Sequence, residues 1–369
     1  MRKPELRFMH MDVTVGCNLT CKHCFYGDYN SRKYIAEELN LERMFELILE
    51  AKTMGCEKII FSGGEVLTSP KFFDLLYFCK EKKIKTIFIT NATLIDDNVM
   101  KKLEIVKDNI EEIKISYEGE NNDYVRGSGT GEKIMASLNR FDELGFPWTV
   151  NTILNKYNIN YLDEVYEFMK KSNPLAWRLD FAFEVGRYKK YKDDLIESDF
   201  EYTFKKVAEL LKRYLNEKPN FELFIYNLYR PGMENFLYGE KPLDMHPCAY
   251  NKRNIGIRGL GEVTPCSRFL ALKLGNVKAK SIRDVKNSEL YKKFWDIKIK
   301  DIDDCFGCKY LKVCGCGCRA NAFEKSGSIM RKDPLNCEIL PLLEKYVIPL
   351  YSKKTQTSFY NLCVGEKNV

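Results

Sequence analysis

The 369-residue sequence has no long apolar run, and no stretch approaches the roughly eighteen uncharged residues that a membrane-spanning helix needs. Its first residues lead directly into a strand-like segment and show no apolar core of a signal peptide. It also has no Lys/Arg-rich block or basic arm, although 59 basic residues outnumber 52 acidic ones and give a formal charge of +7. We therefore predict a cytoplasmic protein with no membrane partner and no nucleic-acid partner.

Cysteine, in contrast, is abundant, with fourteen residues in a chain of otherwise globular composition (45% hydrophobic, 30% charged). In a reducing compartment these thiols are not expected to pair as structural disulfides. Clustered cysteines are therefore interpreted first as metal ligands. The length allows one large core and a smaller appended domain.

From residue 7 to about 185, short β-rich runs alternate with helical patterns, which predicts repeated βα units and a parallel sheet. The six predicted strands are Phe8 to Val15, Lys58 to Ser62, Lys85 to Thr90, Glu112 to Tyr117, Trp148 to Leu154 and Trp177 to Phe183. Asn40 and Asp96 are predicted to begin helices. Six units are too few for a closed eight-stranded barrel but suit a partial barrel with a wide mouth.

The later chain is patterned differently. Residues 186 to 247 are charged and aromatic, with one amphipathic helix near Phe204 to Tyr214, and are predicted to lead away from the barrel. The runs Asn254 to Ile257 and Glu262 to Thr264 flank a glycine-containing turn and predict a β-hairpin. From about Pro341 the tail is weakly patterned.

Three cysteines, Cys17, Cys21 and Cys24, follow the first predicted strand closely. Three thiolates cannot complete a tetrahedral structural zinc site by themselves, but they can hold three irons of a cubane iron-sulfur cluster and leave the fourth open. Their loop is placed at the C-terminal mouth of the parallel sheet, where barrel enzymes carry out their chemistry. The competing interpretation is zinc bound by the three cysteines with His23 or His10.

The second predicted strand delivers Gly63-Gly64-Glu65 to the same mouth, a glycine turn and a carboxylate suited to gripping an ammonium group. Together with the cysteine triplet, this motif resembles the radical S-adenosylmethionine (radical SAM) enzymes. The resemblance implies that Cys17, Cys21 and Cys24 bind a [4Fe-4S] cluster whose open iron takes the amino and carboxylate groups of SAM. Gly63, Gly64 and Glu65 would hold the amino group, and reductive cleavage would give a 5′-deoxyadenosyl radical.

Further positions match places where members of this family contact SAM. These are Thr90, Asn91, Ser116, Glu118 and Arg126. Arg126 is the predicted carboxylate clamp because of its charge and fork geometry. Glu118 stands where an aspartate is common, and for Ser116 and Glu118 an ordinary strand end is the alternative interpretation.

A second field of seven cysteines resembles the SPASM extension of radical SAM enzymes, which holds two auxiliary [4Fe-4S] clusters. The resemblance implies one group, here called the inner cysteines (Cys248, Cys266 and Cys318), and a second group, the outer cysteines (Cys305, Cys308, Cys314 and Cys337). The fourth ligand of the inner cluster is left open among Cys316, His246 and an open iron that binds a substrate thiolate. Two structural zinc sites are the competing interpretation. Cys56, Cys79 and Cys363 are predicted to be buried or incidental thiols.

The fold implied is α/β, a partial (β/α)6 TIM-like barrel followed by a small cysteine-rich SPASM domain with a β-hairpin. The predicted boundaries are 1–185 for the radical SAM core, 186–247 for a bridging region, 248–340 for the SPASM domain and 341–369 for the tail.

SPASM-type enzymes mostly modify ribosomally made peptides. The prediction is therefore an oxidoreductase-type peptide maturase that abstracts hydrogen and installs a thioether or carbon-carbon crosslink or a related modification. Alternatives are a small-molecule dehydrogenase, a tetrapyrrole-modifying enzyme or, outside enzymes, a metal-binding or electron-transfer module. A sulfatase-maturing enzyme is disfavoured because Cys266 is followed by Ser267-Arg268, where that group has an aspartate.

The predicted partners are a peptide substrate and an electron donor of the flavodoxin or ferredoxin type. Only seven residues precede the first strand, so a leader peptide would be recognised by the bridge, the tail or a separate leader-binding protein. Candidate substrate contacts or general bases on or after the sixth strand are Arg178, Asp180, Glu184 and Arg187. Aromatic residues that could line a peptide channel, or else form core, are Tyr188, Tyr191, Phe200, Tyr202, Phe204, Phe221, Phe224, Tyr226 and Tyr229.

Overall fold

The computed structural model describes residues 4–27, 32–197, 199–226, 240–248 and 252–363. Tyr229 lies outside these ranges. No helix within them is long and apolar enough to cross a membrane.

The strands of the described residues form a single sheet. They are β1 (Phe8–Thr14), β2 (Lys58–Gly63), β3 (Lys85–Thr90), β4 (Ile110–Ser116), β5 (Trp148–Leu154), β6 (Ala176–Phe181), β7 (Glu222–Ile225), β8 (Asn254–Ile257), β9 (Glu262–Thr264) and β10 (Gly275–Asn276). Their order in the sheet is β10-β9-β8-β1-β2-β3-β4-β5-β6-β7. Neighbours from β8 through β1 to β7 are parallel, whereas β9 is antiparallel to both β8 and β10. The parallel barrel sheet predicted from the sequence is confirmed.

Helices cover the parallel strands. They are α1 (Leu41–Thr53), α2 (Lys71–Glu81), α3 (Asp97–Val106), α4 (Asn122–Arg126), α5 (Thr130–Glu143), α6 (Leu162–Lys171), α7 (Tyr188–Leu195), α8 (Phe200–Glu217), α9 (Ile282–Asn287), α10 (Glu289–Trp295), α11 (Leu311–Cys314), α12 (Arg319–Ser326), α13 (Pro334–Leu342) and α14 (Lys353–Cys363). Asn40 and Asp96 cap α1 and α3 as predicted, each accepting a backbone N–H three residues later. Cys56 and Cys79 are buried in this core, as predicted.

In the described residues before 227, the bridge does not lead away from the barrel, as the sequence had suggested, but adds a seventh parallel strand to it through α8. The amphipathic helix is α8, whose Val207 and Leu211 are fully buried, and β7 pairs in parallel with β6. β7 is only four residues long. Its alternation of apolar and polar residues is therefore too short to be recognised in the sequence next to the strong helical pattern of α8.

The predicted hairpin has the expected bounds, β8 and β9, but it extends the barrel sheet from its other edge. β8 pairs in parallel with β1, and Leu39 N donates to Gly259 O at 2.9 Å. A Cβ on Gly259 would lie 2.9 Å from Val15, so a glycine allows the turn to approach the end of β1. The second cysteine field is thereby connected directly to the strand that precedes the first.

The tail is helical and packed, contrary to its weak sequence pattern. It comprises the end of α13, short π and 3₁₀ turns over Leu343–Leu350, and α14. Val347, Ile348 and Phe359 are fully buried. Pro341 lies inside α13 and interrupts the residue spacing that marks an amphipathic helix.

Candidate functional site

The first three cysteines lie on the loop that follows β1, residues 15–27, here called the cysteine loop. Cys17, Cys21 and Cys24 are all partly buried. The thiol of Cys17 interacts electrostatically with those of Cys21 and Cys24, and burial raises its pKa to about 12. The structure thus brings the predicted triplet together at the carboxyl end of the sheet.

The turn Gly63-Gly64-Glu65 packs its backbone against the start of this loop. Gly64 N donates to Thr14 O at 2.9 Å, and Glu65 N donates to Gly16 O at 2.8 Å. A Cβ on Gly64 would lie 1.9 Å from Gly16 O, and Gly63 has φ +131°. Only glycine permits this approach, because any side chain would collide with the loop backbone.

Glu65 is a buried carboxylate, 1% exposed. It accepts hydrogen bonds from Thr90 Oγ1 at 2.7 Å, Asn91 N at 2.6 Å and Leu67 N at 3.2 Å. Within the described ranges it has no cationic partner within 4.0 Å, and burial raises its pKa. A buried carboxylate that lacks a countercharge fits an ammonium group. Thr90 and Asn91 are brought to this site as partners of Glu65.

Arg126 and Glu118 form an ion pair of 2.5 Å beneath the cysteine loop. Glu118 also lies 3.3 Å from His23 Nε2 and accepts a bond from Ile153 N at 2.9 Å. Burial would raise the pKa of Glu118, but Arg126 and His23 lower it below its ordinary value. Nη1 of Arg126 faces Cys21 Sγ at 3.9 Å, so this pair contacts the triplet directly.

Two buried nitrogens of this group, Arg126 Nε and His23 Nδ1, have no hydrogen-bond partner among the described residues. Ser116 ends the adjacent β4 opposite Asn151, whose Oδ1 is also buried and unpartnered there. Three thiols, a buried carboxylate without a countercharge and a buried guanidinium whose Nε makes no hydrogen bond in the described chain fit a cubane cluster together with the zwitterionic head group of an amino acid. The residues present therefore suit the cofactors that the sequence motif implies.

The inner cysteines are partly brought together. The thiols of Cys266 and Cys318 interact with each other, and both interact with Arg268. His246 accepts the backbone N–H of Cys248 at Nδ1 (3.0 Å), and its Nε2 lies 3.0 Å from Phe294 O. Both ring nitrogens of His246 are therefore engaged in hydrogen bonds, and its role as the fourth ligand stays a prediction.

The outer cysteines form a second group. Cys305 interacts with Cys314 and Cys337, and Cys337 also interacts with Cys308. No three His, Cys, Asp or Glu side chains in the described part of the chain are arranged to hold a single metal ion.

Cys316, which the sequence left open as an inner ligand, packs with one of the outer cysteines. Its thiol donates to Ile299 O at 3.7 Å, lies in one small buried cluster with Cys305 and interacts electrostatically with Cys314. The backbone of Cys316 is left-handed (φ +66°), and Gly315 and Gly317 on either side also have positive φ. This conformation is uncommon for a residue with a side chain. Cys363, which the sequence set apart, interacts with Cys308 from the end of α14.

A cavity of about 140 Å³ lies between the carboxyl ends of β5 and β6 and the helices α12 and α13. Its lining includes Phe181, Phe183, Glu184 and Arg268. Tyr188 and Phe200 from the predicted aromatic set also line it, whereas Phe204 and Phe221 are core.

The four candidate substrate residues take different places. Glu184 lines the cavity, and Asp180 accepts a bond from Arg268 Nη2 at 2.9 Å. Arg178 stacks on Phe224 at 3.9 Å, and its Nε, 3.7 Å from Glu112, makes no hydrogen bond in the described chain.

Arg187 contacts the cysteine loop. Its guanidinium donates to Cys21 O at 3.2 Å and Gly27 O at 3.3 Å, and its backbone N donates to Cys24 O at 2.9 Å. A Cβ on Gly186 would lie 2.2 Å from Phe25 O, so the two segments touch. Arg187 was one of four candidate substrate contacts or bases, and that role stays a prediction; the bonds that the structure shows join it to the backbone of the cysteine loop.

Alanine at Arg187 should lower reductive SAM cleavage about 10- to 100-fold and reduce iron retention, because the loop carbonyls lose their donors. Iron analysis and the release of 5′-deoxyadenosine measure this. The matched control is Lys189→Ala, which removes an exposed cation that pairs with Glu324 at 3.2 Å and should change neither quantity. Full SAM cleavage with loss of product only would instead assign Arg187 to substrate binding.

Two family models match the two cysteine-bearing regions of the chain. Residues 11–169 match the radical SAM superfamily model. Residues 248–309 match the SPASM iron-sulfur cluster-binding domain. With the partial barrel and the cysteine loop, these matches define a radical SAM enzyme. The chain belongs to the SPASM-type members of that superfamily, and [4Fe-4S] clusters and SAM are its cofactors. The fold class and cofactor classes predicted from the sequence are confirmed, while the role of each cysteine stays a prediction.

Individual relatives are distant. The AdoMet-dependent heme synthase of Methanosarcina barkeri is 26% identical over 344 residues, 89% of this chain and 95% of the relative. A cysteine-type anaerobic sulfatase-maturating enzyme of Clostridium novyi is 25% identical over 345 residues, 86% of this chain and 88% of the relative. Streptococcus suis SuiB, solved bound to its precursor peptide SuiA, superposes with a TM-score of 0.71 at 20% identity, covering 90% of this chain and 76% of SuiB. At that identity the superposition shows the shared fold alone.

Proposed function

We propose that this radical SAM enzyme oxidises a side chain of a ribosomally made peptide and joins it to a second atom through a thioether or carbon-carbon bond. The observation that carries the proposal is the cavity between the barrel mouth and α12 and α13. At about 140 Å³ it suits one side chain, since pockets that enclose a whole drug-sized ligand start at about 300 Å³. Phe181, Phe183 and Phe200 give it aromatic walls, which would hold an apolar or aromatic side chain.

The relatives support more than one substrate. A heme synthase and a sulfatase-maturating enzyme match this chain at nearly the same identity, 26% and 25%, over most of its length. The heme synthase similarity favours a second candidate, a tetrapyrrole-modifying enzyme. The cavity size favours the peptide, because a macrocycle would have to lie outside it.

Forming the crosslink removes two hydrogens from the peptide, one as a hydrogen atom and the other as a proton and an electron. SAM, bound with its cluster, supplies the 5′-deoxyadenosyl radical that takes the hydrogen atom. Asp180 is the proposed acceptor of the proton. Its carboxylate is 25% exposed and is held by Arg268, which lines the cavity and stacks on Phe183 at 4.5 Å. The electron would leave to a carrier of the flavodoxin or ferredoxin type.

The test uses the anaerobically reconstituted chain with peptides encoded by short open reading frames beside its gene, and with a porphyrin as the competing substrate. We expect a peptide to lose the mass of two hydrogens while 5′-deoxyadenosine forms. Asp180→Asn should slow peptide oxidation about 100-fold, the typical loss of a general base, and leave SAM cleavage in place. Turnover of the porphyrin with no change in any peptide would establish the second candidate instead.

A further inference from the structure

The two ends of the chain that carry cysteines meet beside β1. Because β8 pairs in parallel with β1, Arg258, the residue after β8, reaches Asp12 on β1. Arg258 is also eight residues before Cys266, and Asp12 is five residues before Cys17. A contact between Asp12 and Arg258 therefore connects β1, which precedes the cysteine loop, with the end of β8, which precedes Cys266.

The contact is an ion pair with specific bonds on both sides. Asp12 Oδ1 accepts from Tyr26 Oη at 2.7 Å and from Ser62 Oγ at 2.8 Å, and Asp12 Oδ2 lies 3.3 Å from Arg258 Nε. Nη1 of Arg258 donates to Ser267 O at 3.1 Å, and its guanidinium lies 4.8 Å from the centre of the Tyr26 ring. Tyr26 is two residues after Cys24, and Ser267 is next to Cys266.

Burial makes this pair rigid. The Asp12 side chain is 1% exposed and that of Arg258 is 4% exposed, so neither charge can turn to water. Asp12 Oδ2 and Arg258 Nη2 make no hydrogen bond among the described residues. An incompletely satisfied buried pair contributes little net stability, and its best-attested use is to fix one arrangement among several.

We propose that Asp12 and Arg258 are positioning residues that hold the cysteine loop and the Cys266 segment in one fixed relation. The pair ties the geometry of the SAM site to that of the inner cysteines. This inference rests on the assignment of Cys17, Cys21 and Cys24 to the SAM site, which underlies the proposed function. It requires no particular substrate.

The test measures the change that SAM produces in the electron paramagnetic resonance spectrum of the reduced, fully loaded enzyme. In Arg258→Gln, the SAM concentration that gives half of this change should rise about tenfold, the lower range for loss of a supporting contact at a metal site. Iron bound at the inner cysteines should fall in the same variant. Arg258→Lys should recover part of both losses, since one ammonium group can face Asp12 but cannot also bond Ser267 O. Asp12→Asn, which keeps an oxygen for Tyr26 and Ser62, tests the same pair if Arg258→Gln does not fold.

The matched control is Arg319→Gln. Arg319 is also a buried arginine, 1% exposed, but it donates to Ile329 O at 2.7 Å and Arg331 O at 2.6 Å, beside the outer cysteines. Its loss should leave the half-saturating SAM concentration unchanged. An equal rise in Arg319→Gln, or a rise in neither variant, overturns the proposal. If SAM still changes the electron paramagnetic resonance spectrum when Cys17, Cys21 and Cys24 are all alanine, the assignment of these cysteines to the SAM site is wrong. That result would not bear on the proposed role of Asp12 and Arg258.

Discussion

Replacing Cys17, Cys21 and Cys24 by alanine should abolish reductive SAM cleavage and lower the iron content of the reconstituted chain from about twelve to about eight atoms. The three thiols interact with one another on one loop, so the variant removes one complete cluster site. The other cysteine groups depend on β8–β9 and the α10–α14 region and should keep their iron. Iron analysis and chromatography of 5′-deoxyadenosine measure the two effects separately.

Cys56→Ala is the matched control, because Cys56 is a buried thiol in the same barrel, 5% exposed, and donates to Lys58 O at 3.2 Å. It should keep both iron and cleavage. Cleavage that survives in the triple variant would place the radical-generating site elsewhere. Zinc retained without any cleavage in the unsubstituted chain would support the zinc interpretation.

Much of the barrel could be predicted from sequence because its signals are local. The bounds of β3 and β5 agree with the predicted strands residue for residue, since each is a short β-rich run between polar turns. The caps Asn40 and Asp96 depend only on residues within the same helical turn. The cysteine triplet and Gly63-Gly64-Glu65 could be placed at one mouth because all parallel strands end on the same side.

What could not be predicted depends on partners distant in sequence. From the sequence, Arg187 is only a charged residue after β6. Its hydrogen-bond partners are backbone carbonyls about 160 residues earlier, and a backbone carbonyl cannot be recognised from the residue type that bears it. The family resemblance implied that Arg126 and Glu118 contact SAM, which stays a prediction, but it gave no sign that the two side chains pair with each other. Both charges are buried, and pairing lowers the cost of burying them.

The same reasoning applies to Cys316. The sequence, which places it between Cys314 and Cys318, offered it only as a fourth ligand of the inner cluster. The run of positive φ angles at Gly315, Cys316 and Gly317 decides which way the thiol points, and backbone handedness at a non-glycine residue cannot be read from spacing.

Alanine at Cys318 should separate radical formation from substrate oxidation. Cys318 interacts with Cys266 and with Arg268, which lines the cavity, whereas the cysteine loop carries a separate set of thiols. We expect about four irons to be lost, SAM cleavage to persist, and formation of oxidised product to fall at least about 100-fold. Metal analysis, 5′-deoxyadenosine release and product mass measured on one sample distinguish these effects.

Cys316→Ala makes this prediction specific, because it removes a thiol two residues from Cys318 that packs with Cys305, one of the outer cysteines. Cys316 packs with Cys305 and donates to Ile299 O at 3.7 Å, so the variant should keep the inner cluster and form product at a rate near that of the unsubstituted enzyme. If Cys316→Ala instead loses product to the same extent as Cys318→Ala, Cys316 is an inner ligand in the loaded enzyme. If it does not, the two protein candidates for the fourth position, Cys316 and the doubly bonded His246, are both engaged elsewhere. That outcome would favour an inner cluster with an iron free for a substrate thiolate, and with it thioether formation, because the sulfur to be joined would be held at the metal beside the cavity.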